Sequence, residues 1–550
     1  MSEVKLTKEE LVKQNKAGLD VIKDMYRYAE TGFDSIAPDD MMLFKWHGVY
    51  QQRPKDGHFM MRIKVPGGRL NTTQLRAITA ISTDYGHGLN DITTRQTIQL
   101  HWLKIEQLPD VFARLEASGL TTVGACGDIA RNITSSPTTG IDPSELVDTR
   151  PVVDALQAFF HLNYEFGNLP RKFKIAVEGA PVQSTHPQIN DAALVAWKRE
   201  SDGVVGYHFL AGGGLSLQPH VAQLLDIFVP ADEIEHILEV AKAVGELYRD
   251  ATQLRQKRTR ARLKYLVAEW GAAKFTEEIR KKLSWTPDTA VPGFAFNDET
   301  FRDHVGINKQ KQDGLYWIGL CVLAGRLDDV QLNAAADVAD KYGSGEIRLT
   351  NYQNLLIPHI SEEDLPAAQA DLRAAGYEWE VPNIRRGAIS CTGIEFCNLA
   401  ITETKLRIKE VIAHLEVVNP NPYERGLMIN MNGCPNSCGQ HHIGDIGLQG
   451  CLARVEGGDQ VEAFDIHLGG DLGAHPTFTR AIHRKVPAEN VKYALANVIA
   501  RFQETRLNDE RFATWVHRHT NEELDGFLGV DTIIGAPDLP TSALLEAAPV

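Results

Sequence analysis

Seven cysteines are few for a chain of 550 residues, and the number is odd, with Cys126, Cys321 and Cys451 scattered. A disulfide framework needs pairs and an oxidising compartment, so reduced thiols are expected. Long apolar runs are missing as well. No stretch approaches the about 18 residues that a membrane helix needs, and the opening MSEVKLTKEELVKQNK is charged throughout. The chain is therefore expected to be cytoplasmic and unprocessed, with no membrane partner. It also lacks a long basic run and carries a formal net charge of −15, which disfavours nucleic acid as a partner. No G-x-G-x-x-G is found either. The glycines of LAGGGLSL, from Leu210, have the wrong spacing for a flavin or nicotinamide loop.

What is present is ordinary globular material, 43% hydrophobic and 23% charged, long enough for two to four domains. An internal repeat organises it. Shifting the chain by 257 residues lays GGRLNTTQL, from Gly67, over AGRLDDVQL, from Ala324. Without a gap, Tyr85, Gly86 and Gly88 then meet Tyr342, Gly343 and Gly345, while Thr93 and Gln96 meet Thr350 and Gln353. The same offset returns where Gly212, Gly213, Leu215 and Pro219 meet Gly469, Gly470, Leu472 and Pro476. Turn-making residues in one register over so long a span imply a duplicated chain of two halves.

Within each half the pattern is α+β. LRAITAISTDYG and LPDVFARLEASG read as helices closed by glycine, and TIQLHWLKI between them reads as a strand by its alternation. LNAAADVADKYG, NLLIPHI and LPAAQADLRAAG repeat that order. Two small lobes, each followed by a larger α+β lobe, would pack about a pseudo-twofold axis, a natural place for a large cleft.

Four of the seven cysteines fall in SCTGIEFCNLAITET and NGCPNSCGQHHIGDIG. Cys391 and Cys397 are separated by five residues and Cys434 and Cys438 by three, with TKLRIKEVIAHLEVV, a helical pattern, between the pairs. Structural zinc prefers tighter knuckles, whereas four thiolates beside glycines and Pro435 suit a [4Fe–4S] cluster. Spacing favours the cluster and leaves zinc and buried structural thiols open.

These two motifs resemble those of the assimilatory sulfite and nitrite reductases, a family that is itself internally duplicated. The resemblance runs from about GHFMMRIKVPGG to HLGGDLG. It implies two ferredoxin-like half-domains forming one small domain, plus two larger α+β domains about the pseudo-twofold axis. It also implies siroheme joined to a [4Fe–4S] cluster through a shared thiolate. The cluster ligands would be Cys391, Cys397, Cys434 and Cys438, with Cys438 also axial to the siroheme iron and Asn436 against the cofactor. The implied division is an N-terminal helical extension over 1–55, ferredoxin-like halves over 56–120 and 301–377, α+β domains over 121–300 and 378–530, and a tail over 531–550.

The substrates of the family are anions, and Arg95, Arg131, Lys172 and Lys174 resemble its substrate-binding set. Alternation in RKFK puts both lysines on one face with Phe173 on the other. Siroheme carries eight carboxylates, and Arg258, Arg260, Arg262 and Lys264 of RQKRTRARLKYL resemble the stretch that neutralises them. Some relatives have a tyrosine before FMMR that approaches a cysteine beside the substrate. His58 stands at that place here, so no such linkage is expected, and Cys126 is read as a pocket neighbour only. Lys174, where nitrite reductases tend to have Asn, favours sulfite over nitrite. Electrons are expected from outside, from a ferredoxin or a flavoprotein subunit. A duplicated scaffold holding zinc or a cluster without catalysis is the reading from a different class of function.

Overall fold

The computed structural model describes residues 6–298, 303–455 and 458–530. The expected C-terminal tail over 531–550 lies outside the described residues. Four five-stranded sheets form two matched pairs, which is the duplication in three dimensions. The expected helices are found at Thr72–Tyr85, Leu108–Ala117, Asp329–Tyr342 and Leu365–Ala374, and the strands between them at Ile98–Lys104 and Leu355–Ser361.

Repeated chemistry starts the repeated helices. Asn71 with Gln74 forms a capping box at one, and Asp328 with Gln331 forms the same box 257 residues later. Each cap satisfies backbone N–H groups that the first turn leaves without partners, worth about 1 kcal/mol. Leu75, Ile78 and Ile81 then recur on one buried face.

The two small sheets exchange strands. Arg326–Asp328 of the second half joins the first sheet, with Leu327 opposite Asn90, and Arg69–Asn71 of the first half joins the second, with Leu70 opposite Ile347. The small lobes therefore share one hydrophobic core rather than standing apart as two. The matched glutamines make the same connection. Gln96 Nε2 donates to Leu349 O at 2.9 Å, and Gln353 Nε2 donates to Ile92 O at 2.9 Å, each buried. One departure from the expected alternation occurs in Ile98–Lys104. Trp102 takes a positive φ of 66° and the pairing with the neighbouring strand shifts register between Phe59 and Met61, so the period of two is interrupted.

The two larger sheets have one topology. Thr134–Ser135, Ile175–Glu178 and Ala192–Lys198 run parallel, followed by Val205–Ala211 and Gln223–Pro230 antiparallel. Ala388–Ser390, Ile429–Asn432 and Ile446–Arg454 repeat the parallel part, and Gln460–Leu468 and Arg480–Pro487 the antiparallel part. Backbone details match as well: Lys174 N donates to Asp191, and Met428 N to Asp445, both at 2.9 Å. Gly212 and Gly469 share a φ of 86°, and an added Cβ would strike Val267 or Val516 in turn.

Candidate active site

One cleft collects residues from both halves. The space it bounds, open solvent included, is about 1190 Å³. All four clustered cysteines line it.

The parallel pairing of Ala388–Ser390 with Ile429–Asn432 brings the carboxyl ends of both strands to one edge, and Cys391 and Cys434 follow directly. Gln353 Oε1 accepts from Ser390 N at 3.0 Å, so the conserved turn of the duplication also holds the strand that delivers Cys391. Gly433 N donates to Cys391 Sγ at 3.2 Å, and Asn436 Nδ2 to Cys434 Sγ at 3.5 Å. A Cβ on Gly433 would lie 2.8 Å from Thr402 O, and one on Gly439 2.6 Å from Met431 O, so neither position tolerates a side chain. Burial, reinforced by Cys438, pushes the Cys391 thiol up to about 12, and burial also raises Cys397 and Cys434. Loading a metal must therefore drive protons off these sulfurs. The thiols surround a space instead of converging on a point, since no three His, Cys, Asp or Glu among the described residues are placed to hold a single metal ion. N–H donors aimed at sulfur and a glycine cradle fit a bulky thiolate-bound cluster better than one zinc ion.

The opposite wall is cationic. Arg62, Arg95, Arg131, Lys172, Lys174 and Arg262 line it, joined by Lys405 from the cysteine side, against the single carboxylate of Asp91. Arg95 donates to Asn190 Oδ1 at 2.8 Å and to Asn132 O at 2.5 Å, and its Nε is buried without a partner. Arg131 is held through Nε by Gly127 O at 2.9 Å. The regular strand begins only at Ile175, but Phe173 is fully buried in the core while Lys172 and Lys174 line the cleft. Burial, then Arg262, lowers Lys172 to about 7, and burial, then Lys172 itself, holds Lys174 well below its ordinary value. Burial, then Arg131, lowers Arg95 to about 9. Such an excess of buried cations is costly unless anions share the space, and the carboxylates of siroheme together with an oxyanion fit that need.

The basic run is divided by the fold. Arg262 lines the cleft and pairs with Asp191 at 2.8 Å. Lys264 is buried behind it, donating to Leu215 O at 2.9 Å. Arg258 points to Asp128, with two bonds at 2.6 and 2.9 Å, and Arg260 is exposed over the Tyr265 ring. Asn436 lines the cleft between the cysteines.

Two residues escaped the sequence reading. Arg62 stands on the strand His58–Ile63, where alternation sends Phe59, Met61 and Ile63 into the core and Met60 and Arg62 into the cleft. The period of two in FMMRI was the available signal. The second is Tyr50. The expectation concerned only the position before FMMR, where His58 stands, whereas Tyr50 lies on the neighbouring strand opposite Met60, and burial, then the fully buried Cys126 nearby, raises its phenol. His58 is turned away, pairing with Asp56 at 2.6 Å. The tyrosine arrives from a neighbouring strand, which reading along one strand does not reveal.

The second half carries a depleted copy of this wall. Strand register sets Asp445 against Asp191, Met428 against Lys174 and Gly426 against Lys172, while the repeat sets Tyr352 against Arg95. The first half thus contributes the cations and the second the thiols.

Both halves of the chain match the same two family models. Residues 126–287 and 383–526 match the family described as nitrite and sulphite reductase 4Fe-4S domain. Residues 50–118 and 308–375 match the nitrite/sulfite reductase ferredoxin-like half domain. The assimilatory ferredoxin-dependent nitrite reductase of Haloferax mediterranei is 38% identical over 542 residues, covering 93% of this chain and 91% of its own. Sulfite reductase [ferredoxin] 1 of Mycolicibacterium paratuberculosis is 35% identical over 518 residues, covering 90% and 92%. The solved structure of the Mycobacterium tuberculosis NirA protein superposes with a TM-score of 0.89 at 34% identity, covering 94% of this chain and 98% of that one.

Proposed function

This chain belongs to the family of nitrite and sulphite reductases, whose cofactors are siroheme and a [4Fe–4S] cluster, and we propose that its reaction is the six-electron reduction of sulfite to sulfide. The observation that carries the choice of sulfite is Lys174. It adds a buried cation to a wall already formed by Arg62, Arg95, Arg131 and Lys172. Sulfite, when deprotonated, bears two charges and nitrite one, so a further cation favours sulfite. Reduction of nitrite to ammonia by the same cofactor pair is the second reading, supported by relatives named as nitrite reductases at equal or higher identity.

In this reading Cys391, Cys397, Cys434 and Cys438 hold the cluster, Cys438 also reaches the siroheme iron, and Asn436, Arg262 and Lys264 lie on the cofactor side. When bound, the pair supplies electrons and a coordination position for the substrate's central atom. The chain's own groups do the rest. Arg62, Arg95 and Arg131 bring guanidinium forks that balance the oxyanion charge in a dry site. At an effective dielectric near 20, a unit cation about 4 Å from a unit anion contributes roughly 4 kcal/mol before desolvation. Burial, then Arg262, brings the Lys172 ammonium to about 7, where it can give protons at neutral pH, and burial, then Lys172, lowers Lys174 beside it. Each S–O bond that breaks takes up two protons and releases water, so a donor pair beside the substrate is needed repeatedly.

Electrons come from a ferredoxin, in keeping with the ferredoxin dependence named for relatives, with a flavoprotein subunit as the alternative. No helix among the described residues is long and apolar enough to cross a membrane. The domains are taken to be those expected from the sequence, and the cleft is lined from 60–99, 131–262 and 353–438. The test is a product assay with a chemical electron donor. Sulfide formation at a higher kcat/KM than ammonia formation is expected. Efficient nitrite reduction with little sulfide would overturn the assignment.

A further inference from the structure

A buried charge network adjoins the cysteines at the edge of the cleft. Lys405 is the first residue of the helix Lys405–Val418, directly after Thr404, whose Oγ1 donates to Cys391 O at 2.7 Å and lies 3.9 Å from Cys391 Sγ. Its own side chain lines the same cleft as Cys391 and is only 2% exposed. The ammonium is fixed from two directions, donating to Ala324 O at 2.5 Å and standing 3.3 Å from Asp91 Oδ1. Asp91 is in turn gripped by Arg326 at 2.9 and 3.1 Å and approached by His101 Nε2 at 3.2 Å.

We infer that Lys405 sets the reduction potential of the cluster, its ammonium favouring the more negative, reduced state, with Asp91 as the opposing charge. The effect is electrostatic and rests on the four cysteines being the cluster ligands. Reduction adds one negative charge to a centre bounded by four thiolates, and the potential of such a centre responds to nearby charge, hydrogen bonds to sulfur and solvent exposure. Lys405, Arg326 and Asp91 together carry one net positive charge. Glu395 also pairs with Arg326, at 2.8 Å, but its side chain is 37% exposed and its charge is screened by water. The Lys405 charge is not screened in that way, because the surrounding protein excludes solvent. The anchoring matters as much as the charge. Ala324 sits in the turn that the duplication repeats, at a φ of 61°, so the ammonium is held by the rigid seam between the halves. Lys405 is a positioning residue of this kind and touches no substrate.

The proposal predicts shifts of opposite sign at two neighbouring residues. In the purified holoenzyme, with cluster content checked by iron analysis, K405M should lower the cluster midpoint potential by at least about 59 mV, a tenfold change for a one-electron couple. D91N should raise it, and K405R should stay near the wild type. Electron paramagnetic resonance during a potentiometric titration reads all three. An unchanged midpoint in K405M with an intact cluster overturns the proposal. So does a downward shift in D91N, since a general loosening of the site would move both variants the same way. If K405M fails to assemble a cluster, D91N decides alone: a rise supports the idea, and no change or a fall refutes it. Wild-type protein without a four-iron cluster would overturn the cysteine assignment, and this proposal with it. The choice between sulfite and nitrite does not affect the outcome.

Discussion

Replacing Lys174 with Asn tests the substrate assignment at the atom where it is made. The side chain is buried in the cleft beside Lys172 and Arg95, and its backbone N is tied to Asp191 at 2.9 Å, so the variant should keep its backbone geometry. Doubly charged sulfite loses two unit interactions with that ammonium and nitrite loses one. The difference is at most about 4 kcal/mol at 4 Å and an effective dielectric of 20. Desolvation takes back much of it, and charge-assisted contacts are worth about 1.5–3 kcal/mol in practice. Lys174→Asn should therefore reduce kcat/KM for sulfite by a further roughly 1–3 kcal/mol relative to nitrite, or about 5-fold to 150-fold. Steady-state assays of both substrates with one chemical donor measure the ratio directly. Equal losses for the two anions would show that the Lys174 cation does not discriminate, and the sulfite assignment would lose its support.

Cys438→Ser should impair siroheme and cluster together, because one thiolate is proposed to join them, whereas Arg131→Leu should leave the visible spectrum intact while activity falls. Full cofactor coupling in the Cys438 variant, read by electron paramagnetic resonance, would refute the shared ligand. Arg258→Met should cost about 1–3 kcal/mol of stability, less than the full loss of a buried ion pair, since Asp128, whose side chain is 3% exposed, would keep only Lys13 at 3.4 Å and Arg171 at 3.8 Å. Siroheme content per folded chain should not change, and denaturant titration with cofactor analysis separates the two effects. For the cofactor-free protein a pH dependence follows from Lys64 and Lys172, both lowered by burial from 10.5 to about 7. Between those values the unfolded chain binds more protons than the folded one, so stability should rise with pH across that window. Melting temperatures that fall from pH 7 to 9 in the apoprotein would contradict the burial of uncompensated cations.

The duplication, the helices and the four cysteines are legible in one dimension because each rests on local spacing. A capping box needs residues three apart, a helix face needs a period of 3.6, and a repeat needs only that both copies keep the same turns. Gln96 and Gln353 were visible as a matched pair for that reason. Their purpose, reaching across to the other half at Leu349 and Ile92, was not. Arg258, Arg260, Arg262 and Lys264 of RQKRTRARLKYL look alike in sequence, yet Arg262 lines the cleft while Arg258 turns to Asp128 and Arg260 to solvent.

The motifs that mark the family were legible in the sequence alone, and the resemblance they carry implied the cofactors and the cationic set, because motifs depend on which residue types occur and how far apart they stand. Only the tertiary structure decided which of those residues meet. Tyr50 reaches Cys126 across 76 positions through the pairing of two strands, and Asp91 joins Arg326 and Lys405 through strands exchanged between the halves. The physical reason is that side-chain periodicity is a property of one segment. Contact between segments depends on register and on which sheet a strand joins, and both are settled by burying the common core.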